Sequence, residues 1–208
     1  ILTILRDRPR PSDAQIAAFK NIPTGFLCDA MAGLGALDSR IAPVGGGRDP
    51  ALHMAGPALV ADNGPAEILA TMAAVTLAQP GDVVVAAVAG WQGCSACGDQ
   101  VLGMMKNAGC AGFVTDGPMR DYEGILQVGL LAWCSGLNPN SPYSKGPGRV
   151  GGAATIGGVQ VATGDMVVAD CNGVVVVPFD RIDAVIAELQ DVKAMEADLE
   201  AKVADGFR

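Results

Sequence analysis

The sequence predicts a single α/β domain, and three observations carry that prediction. The composition is aliphatic and nearly free of rings, Val-rich runs alternate with Ala-rich helical ones, and the C-terminal end carries a long amphipathic segment. Hydrophobic residues make up 50% of the 208 but aromatic residues only 4%. The core must therefore be built from Val, Ala, Leu, Ile and Met, a mixture suited to β-branched strands covered by helices. A chain of this length buries roughly 70% of its unfolded surface, enough for one large core. No repeat, linker or low-complexity block divides it, so residues 1–208 read as one domain.

The elements follow in order. Ser12 is placed to cap a helix running to Lys20, and Thr24 a second helix through Ala32 that carries Asp29 and stops at Gly33. Ala55 to Ala61 reads as a strand. Pro65 and Ala66 open an Ala-rich helix, Glu67 to Ala78, that halts before Pro80-Gly81, and Asp82 to Val88 is a near-continuous apolar strand of the kind buried on both faces. After the Gly-rich turn from Gly90 to Gly98, Val101, Leu102, Met105 and Ala108 have helical spacing over Asp99 to Asn107, and Gly109 closes that helix. Gly112 to Thr115 is the returning strand, Tyr122 to Gln127 a short helix, and Leu131 to Cys134 another strand. Asn138 to Gly148 is a loop dense in Pro, Gly and Ser, with Lys145 and Arg149 beside it, suited equally to covering a site or to plain connection. Short strands with Gly turns follow at Gly152 to Ile156, Val159 to Val161, Met166 to Asp170 and Gly173 to Val177, ending at Pro178. The last helix, Asp180 to Ala204, aligns Ile182, Val185, Ile186, Leu189, Val192, Met195, Leu199 and Val203 on one stripe, longer than one domain face usually covers. That surplus points to contact with another subunit.

The formal charge of −8 disfavours a nucleic-acid partner, because phosphate tracking needs clustered Lys and Arg. Arg6, Arg8 and Arg10 are interrupted by Pro9 and Pro11 and read as a solvated arm. No apolar run approaches the ~20 residues that cross a bilayer, and charges break up the first eleven residues before any signal-type segment forms. The expectation is a cytoplasmic protein with no membrane partner, and a start at Ile1 suggests residues upstream. The six cysteines are expected as reduced thiols. Cys94 and Cys97 form a C-x-x-C that suits a redox pair or half a zinc site, but no second pair follows and His53 is the only histidine.

The most informative segment is Asp99 to Asp121. A helix returning to a strand brings its ends together, so Asp99 at the helix start and Arg120-Asp121 beyond the strand can converge on one site. The amides of Gln100, Val101 and Leu102 at that helix end, with the helix dipole, suit a carboxylate. Arg120 offers a planar fork to anionic oxygens, and Asp121 a hard oxygen to Mg²⁺ or Mn²⁺. Taken singly, Asp99 is equally explained as an N-cap and Arg120-Asp121 as a surface ion pair.

Together, Gly98-Asp99 and, twenty residues on, Arg120-Asp121 resemble the signature of the RraA-like family. That family holds class II pyruvate aldolases that cleave 4-hydroxy-4-methyl-2-oxoglutarate and 4-carboxy-4-hydroxy-2-oxoadipate, and also the regulator of ribonuclease E activity A. The likeness extends to Gly56-Pro57-Ala58, Pro80-Gly81-Asp82, Gly109 to Gly117, Gly164-Asp165 and Asn172 to Pro178. It implies a ββα swivelling-type domain, assembled as a homotrimer or homohexamer. It also implies that Gly98, Asp99, Gln100 and Val101 hold the pyruvyl part of a 2-oxo acid, that Arg120 contacts its oxygens, and that Asp121 binds the divalent metal, Mg²⁺ before Mn²⁺. Asp99 and Arg120 would then be the catalytic pair in a retro-aldol cleavage that yields pyruvate, with oxaloacetate decarboxylation as a side activity. A non-enzymatic regulator that binds ribonuclease partners is the competing expectation. One departure stands out: family aldolases usually carry an acid three positions after the Arg-Asp aspartate, where this chain has Gly124, with Glu123 one step earlier.

Overall fold

The computed structural model describes all residues except 46–48. In chain order its first half runs β1 (Leu2–Ile4), α1 (Asp13–Ala18), α2 (Thr24–Ala30), β2 (Ala42–Pro43), β3 (His53–Asp62), α3 (Leu69–Leu77), β4 (Val83–Ala87) and α4 (Asp99–Asn107). The second half runs β5 (Gly112–Thr115), α5 (Tyr122–Val128), β6 (Ala132–Cys134), β7 (Gly148–Val150), β8 (Ala153–Ile156), β9 (Val159–Ala162), β10 (Met166–Asp170), β11 (Val174–Val177) and α6 (Ile182–Ala204). This is the expected α/β architecture of the swivelling type with a long C-terminal helix.

β3 organises the molecule because it serves two sheets. Its second half, Ala58 to Asp62, pairs parallel with β4, which continues through β5 to β6, all parallel. Its first half, His53 to Pro57, pairs antiparallel with β10, which pairs with β11. The run of Val83 to Ala87 is buried at every position, as a strand covered on both faces requires. One face of the parallel sheet packs on Ala70, Ala74, Leu102, Met105 and Ile125 from α3, α4 and α5. The other meets Ile156, Val161, Val167 and Val176, with Trp133 filling the middle and donating its indole N–H to the Asp170 carbonyl at 3.0 Å.

α6 covers the β10–β11 side with Ile182, Val185, Leu189 and Val192, each worth about 1.5–3 kcal/mol on burial. Beyond Val192 the stripe runs out into solvent, with Met195 67% exposed. A 3-10 turn, Phe179–Arg181, precedes it, so the helix proper begins two residues later than its sequence signal. Ser12 and Gln15 form a reciprocal capping box on α1, at 3.2 and 2.8 Å.

The basic arm is a correction. Arg8 and Arg10 both pair with Asp82, whose carboxylate is fully buried, Arg8 at 2.7 Å, and Arg10 also donates to the Pro80 carbonyl at 2.8 Å. Asp82 sits at the turn into β4 and accepts from the Gln79 amide at 2.8 Å. A buried carboxylate is costly without a cation, and the arm supplies two.

Candidate active site

The parallel sheet delivers its loops to one edge. Past the ends of β4, β5 and β6, the segments around Cys97, Met119 and Leu137 lie side by side through isolated parallel bridges. The Arg120 amide donates to the Cys97 carbonyl at 3.1 Å, and the Met119 amide to the Gly136 carbonyl at 2.9 Å. This short extension of the sheet sets Gly98-Asp99 next to Arg120-Asp121, as their spacing predicts.

Two glycines then allow a crossed contact. A Cβ on Gly98 would lie 2.5 Å from Asp121 Oδ2 and 3.4 Å from Arg120 Cγ, so the Asp121 carboxylate rests over Gly98. A Cβ on Gly124 would lie 2.2 Å from Asp99 Oδ2 and 2.7 Å from Asp99 Cβ, so Asp99 rests over the first turn of α5. Each acid is seated on the glycine of the opposite segment. The space that an acid at position 124 would need is already filled by Asp99, a physical reason for the departure seen in the sequence.

Asp121 adopts a left-handed backbone, φ 64°, at the start of α5, and its side chain does not cap that helix. Asp tolerates this region better than most residues, yet it is uncommon and turns up at functional sites. The side chain is 46% exposed, and among the described residues its ionic neighbour is Arg120, with Nε at 3.5 Å. Arg120 also donates from Nη1 to the Ser141 hydroxyl. Asp99 takes a 3.3 Å contact from the Gln100 side-chain amide.

At the start of α4 the Leu102 amide is taken by the Gly98 carbonyl at 3.2 Å, a correction to the expectation that it is free. The amides of Gln100 and Val101 meet no acceptor among the described residues and remain for a ligand. Gly98, Asp99, Gln100, Val101, Arg120 and Asp121 all line one cavity of about 250 Å³, completed by Ile68, Met72, Ser95, Cys97, Ser141, Pro142 and Ser144. The loop from Asn138 to Gly148 therefore walls the site. Its serines, and Ser95, were missed in the sequence, where nothing marks them.

Asp121 suits a hard divalent cation. Its carboxylate is accessible, spends little of its capacity on partners among the described residues, and would leave most of a coordination shell to water and ligand, as Mg²⁺ prefers. Among the described residues no group of three or more His, Cys, Asp or Glu gathers as a closed metal cage. Cys94 and Cys97 are both buried, and burial pushes the Cys97 thiol up to about 12, which keeps it protonated and unreactive at neutral pH.

A larger cavity of about 480 Å³ lies beside Asp38, Arg40, Asp62 and Asp116. Its acids are largely committed. Asp38 is paired with Arg40 at 2.9 Å, and Asp116 accepts from the amides of Val88 and Gly90, both at 2.8 Å. Burial, with Asp62 adding to it, nonetheless raises the Asp116 carboxyl above its ordinary value.

Comparison with known proteins bears on this arrangement. A family model described as RraA-like, Aldolase/RraA, matches residues 24–176. A putative 4-hydroxy-4-methyl-2-oxoglutarate aldolase of Halalkalibacterium halodurans is 35% identical over 187 residues, spanning 90% of this chain and 86% of the relative. Among solved structures, Streptomyces coelicolor RraAS2, an unusual member of the RNase ES inhibitor RraA protein family, superposes with a TM-score of 0.78 at 26% identity, covering 93% of this chain and 99% of its own. An uncharacterized protein from Pseudomonas syringae pv. tomato superposes with a TM-score of 0.82 at 22% identity, covering 97% and 93%, which speaks for the fold alone.

Proposed function

The chain belongs to the RraA-like, Aldolase/RraA family, and from that premise we propose that it is a divalent-metal-dependent pyruvate aldolase. Its substrate would be a 4-hydroxy-2-oxo dicarboxylic or tricarboxylic acid, cleaved to pyruvate and a second 2-oxo acid. The observation that carries the proposal is the convergence of Asp99, Arg120, Asp121 and the open amides of Gln100 and Val101 on one cavity.

Each group has a task. The helix-end amides and the dipole behind them bind the C1 carboxylate. Arg120, its fork preoriented by Ser141 and Asp121, donates to the 2-oxo oxygen. When the C3–C4 bond breaks, its electron pair moves into C2–C3 and the carbonyl pair onto that oxygen, giving the enolate of pyruvate. A preorganised donor at such an oxygen is worth roughly 10²–10³ in rate. Asp99, through a water, accepts the proton of the C4 hydroxyl as C4 becomes a carbonyl, and returns it to C3 to release pyruvate. Asp121 would hold the divalent cation, which would supply Lewis-acid stabilisation of the developing negative charge. Oxaloacetate decarboxylation passes through the same enolate and is the expected side activity.

Pyruvate release followed with lactate dehydrogenase tests this. Activity on oxaloacetate or a 4-hydroxy-2-oxo acid should need Mg²⁺ or Mn²⁺ and vanish in Asp121→Ala. Full activity in excess EDTA would remove the metal from the proposal. The likeness to RraAS2 favours a second reading, a regulator that binds a ribonuclease, and a pull-down with ribonuclease E beside the pyruvate assay separates the two. A homotrimer or homohexamer is part of the proposal, as is a cytoplasmic location. Among the described residues no helix is long and apolar enough to cross a membrane.

A further inference from the structure

The segment from Asn138 to Gly148 crosses the cavity as a strap fastened at both ends. At one end Asn140 offers its carbonyl to the Ser95 amide and hydroxyl, at 2.9 and 3.0 Å, and donates its own side-chain amide to the Gly93 carbonyl at 3.0 Å. At the other end the Tyr143 amide donates to the Ala66 carbonyl at 2.8 Å, and the Ile68 amide to the Tyr143 carbonyl at 2.9 Å. Glu67 closes that end. Its Oε2 accepts from the Lys145 and Gly146 amides at 2.9 and 2.7 Å, and its Oε1 from the Ile68 and Leu69 amides at 2.9 and 3.2 Å. The residue is 6% exposed. Between the fastenings lies Ser141, whose hydroxyl receives the Arg120 guanidinium.

We propose that Glu67 is a positioning residue of the site: by gripping the strap it fixes Ser141, and Ser141 fixes the fork of Arg120. Glu67 lies outside the lining of the cavity and outside the Asp99…Arg120-Asp121 signature, and it acts through two intermediaries. Its carboxylate is the suitable group because four donors need four lone pairs. A Gln in its place turns one acceptor oxygen into an NH₂ that faces two amides. The consequence for turnover rests on the aldolase reading, while the consequence for Arg120 does not.

The test uses Glu67→Gln, Ser141→Ala, Ser141→Thr and the double variant E67Q/S141A in the full chain. NMR of the Arg120 Nε–H, recorded without substrate, reports the fork directly. E67Q and S141A should each shift or broaden it, S141T should restore it, and the double variant should go no further than S141A. With oxaloacetate and Mg²⁺, E67Q and S141A should each lower kcat/KM by about tenfold to a hundredfold, the scale of a misplaced catalytic group. The double variant should again match the worse single one. An unchanged Arg120 signal in E67Q overturns the proposal, as do effects of E67Q and S141A that simply multiply. If the wild-type protein neither turns over oxaloacetate nor binds oxalate, the aldolase reading fails, and the Arg120 signal still decides the role of Glu67. Should E67Q not fold, Glu67→Asp, which keeps the charge and shortens the reach by one methylene, is read by the same criteria.

Discussion

Replacing Gly124 by Ala should cost this protein its activity much faster than its stability. A methyl group at that position would stand 2.2 Å from Asp99 Oδ2 and 2.7 Å from both Cγ and Cβ of Asp99. Rotating the Asp99 side chain moves Oδ2 and Cγ away, but Cβ is fixed by the backbone. Carbon atoms rest at about 3.5 Å, so the starts of α4 and α5 must part by roughly 0.8 Å. Such overpacking costs about 1–3 kcal/mol, offset by about 1 kcal/mol because Ala favours a helix over Gly. The net loss is at most about 2 kcal/mol, a fall of about 4–8 °C in Tm for a chain of this size. A shift approaching 1 Å between Asp99 and the Arg120-Asp121 pair, by contrast, is on the scale that costs about a hundredfold in rate. Thermal melting and pyruvate formation from oxaloacetate, measured on the same sample, separate the two effects. Wild-type kcat/KM in Gly124→Ala would refute the idea that the seating of Asp99 on that glycine sets the site.

Two further outcomes follow from the ionic contacts. Arg8→Ala leaves the buried Asp82 with Arg10 alone, and breaking a buried pair typically costs about 3–5 kcal/mol, so with one cation retained we expect about 2–3 kcal/mol in urea unfolding. A loss below about 0.5 kcal/mol, the usual surface range, would mean the arm is decorative. For Glu67, burial pushes the carboxyl up, but its four amide partners outweigh that and hold it below the usual 4.5. A lowered acid stabilises the fold above its unfolded value, and that stabilisation is lost as pH falls through the folded one. Hydrogen-exchange protection of the Lys145 and Gly146 amides should therefore be full above about pH 4.5 and fade below it in the wild type, and E67Q should remove that dependence.

The elements that sequence patterns exposed are those with strong local signals: the buried Val run of β4, the Ser12 cap of α1, the stripe of α6. The three-residue strands β1 and β7 escaped. β1 and β7 pair only with each other and with the end of β3, and runs that short carry no period. α3 begins at Leu69 rather than at Glu67 because the Glu67 carboxylate takes the Ile68 and Leu69 amides and the loop as well. The meeting of Asp99 with Arg120 and Asp121 was legible because one helix and one strand link them. Ser141 and Glu67 were not, since their contacts span loops whose paths no propensity encodes. The arm was misread for a related reason: Arg8 meets Asp82 across 74 residues, and charge patterning detects only neighbours.

The grip of Arg8 and Arg10 on Asp82 also bears on how the protein can be cut. The matched family segment, residues 24–176, is an obvious choice for a minimal fragment. Such a fragment would strand a buried carboxylate without either guanidinium, and would strip Ile182, Val185, Leu189 and Val192 from the apolar surface of β10 and β11. Sequence likeness and foldable unit therefore have different boundaries in this chain, and the smallest piece worth expressing begins before Arg8 and reaches past Val192.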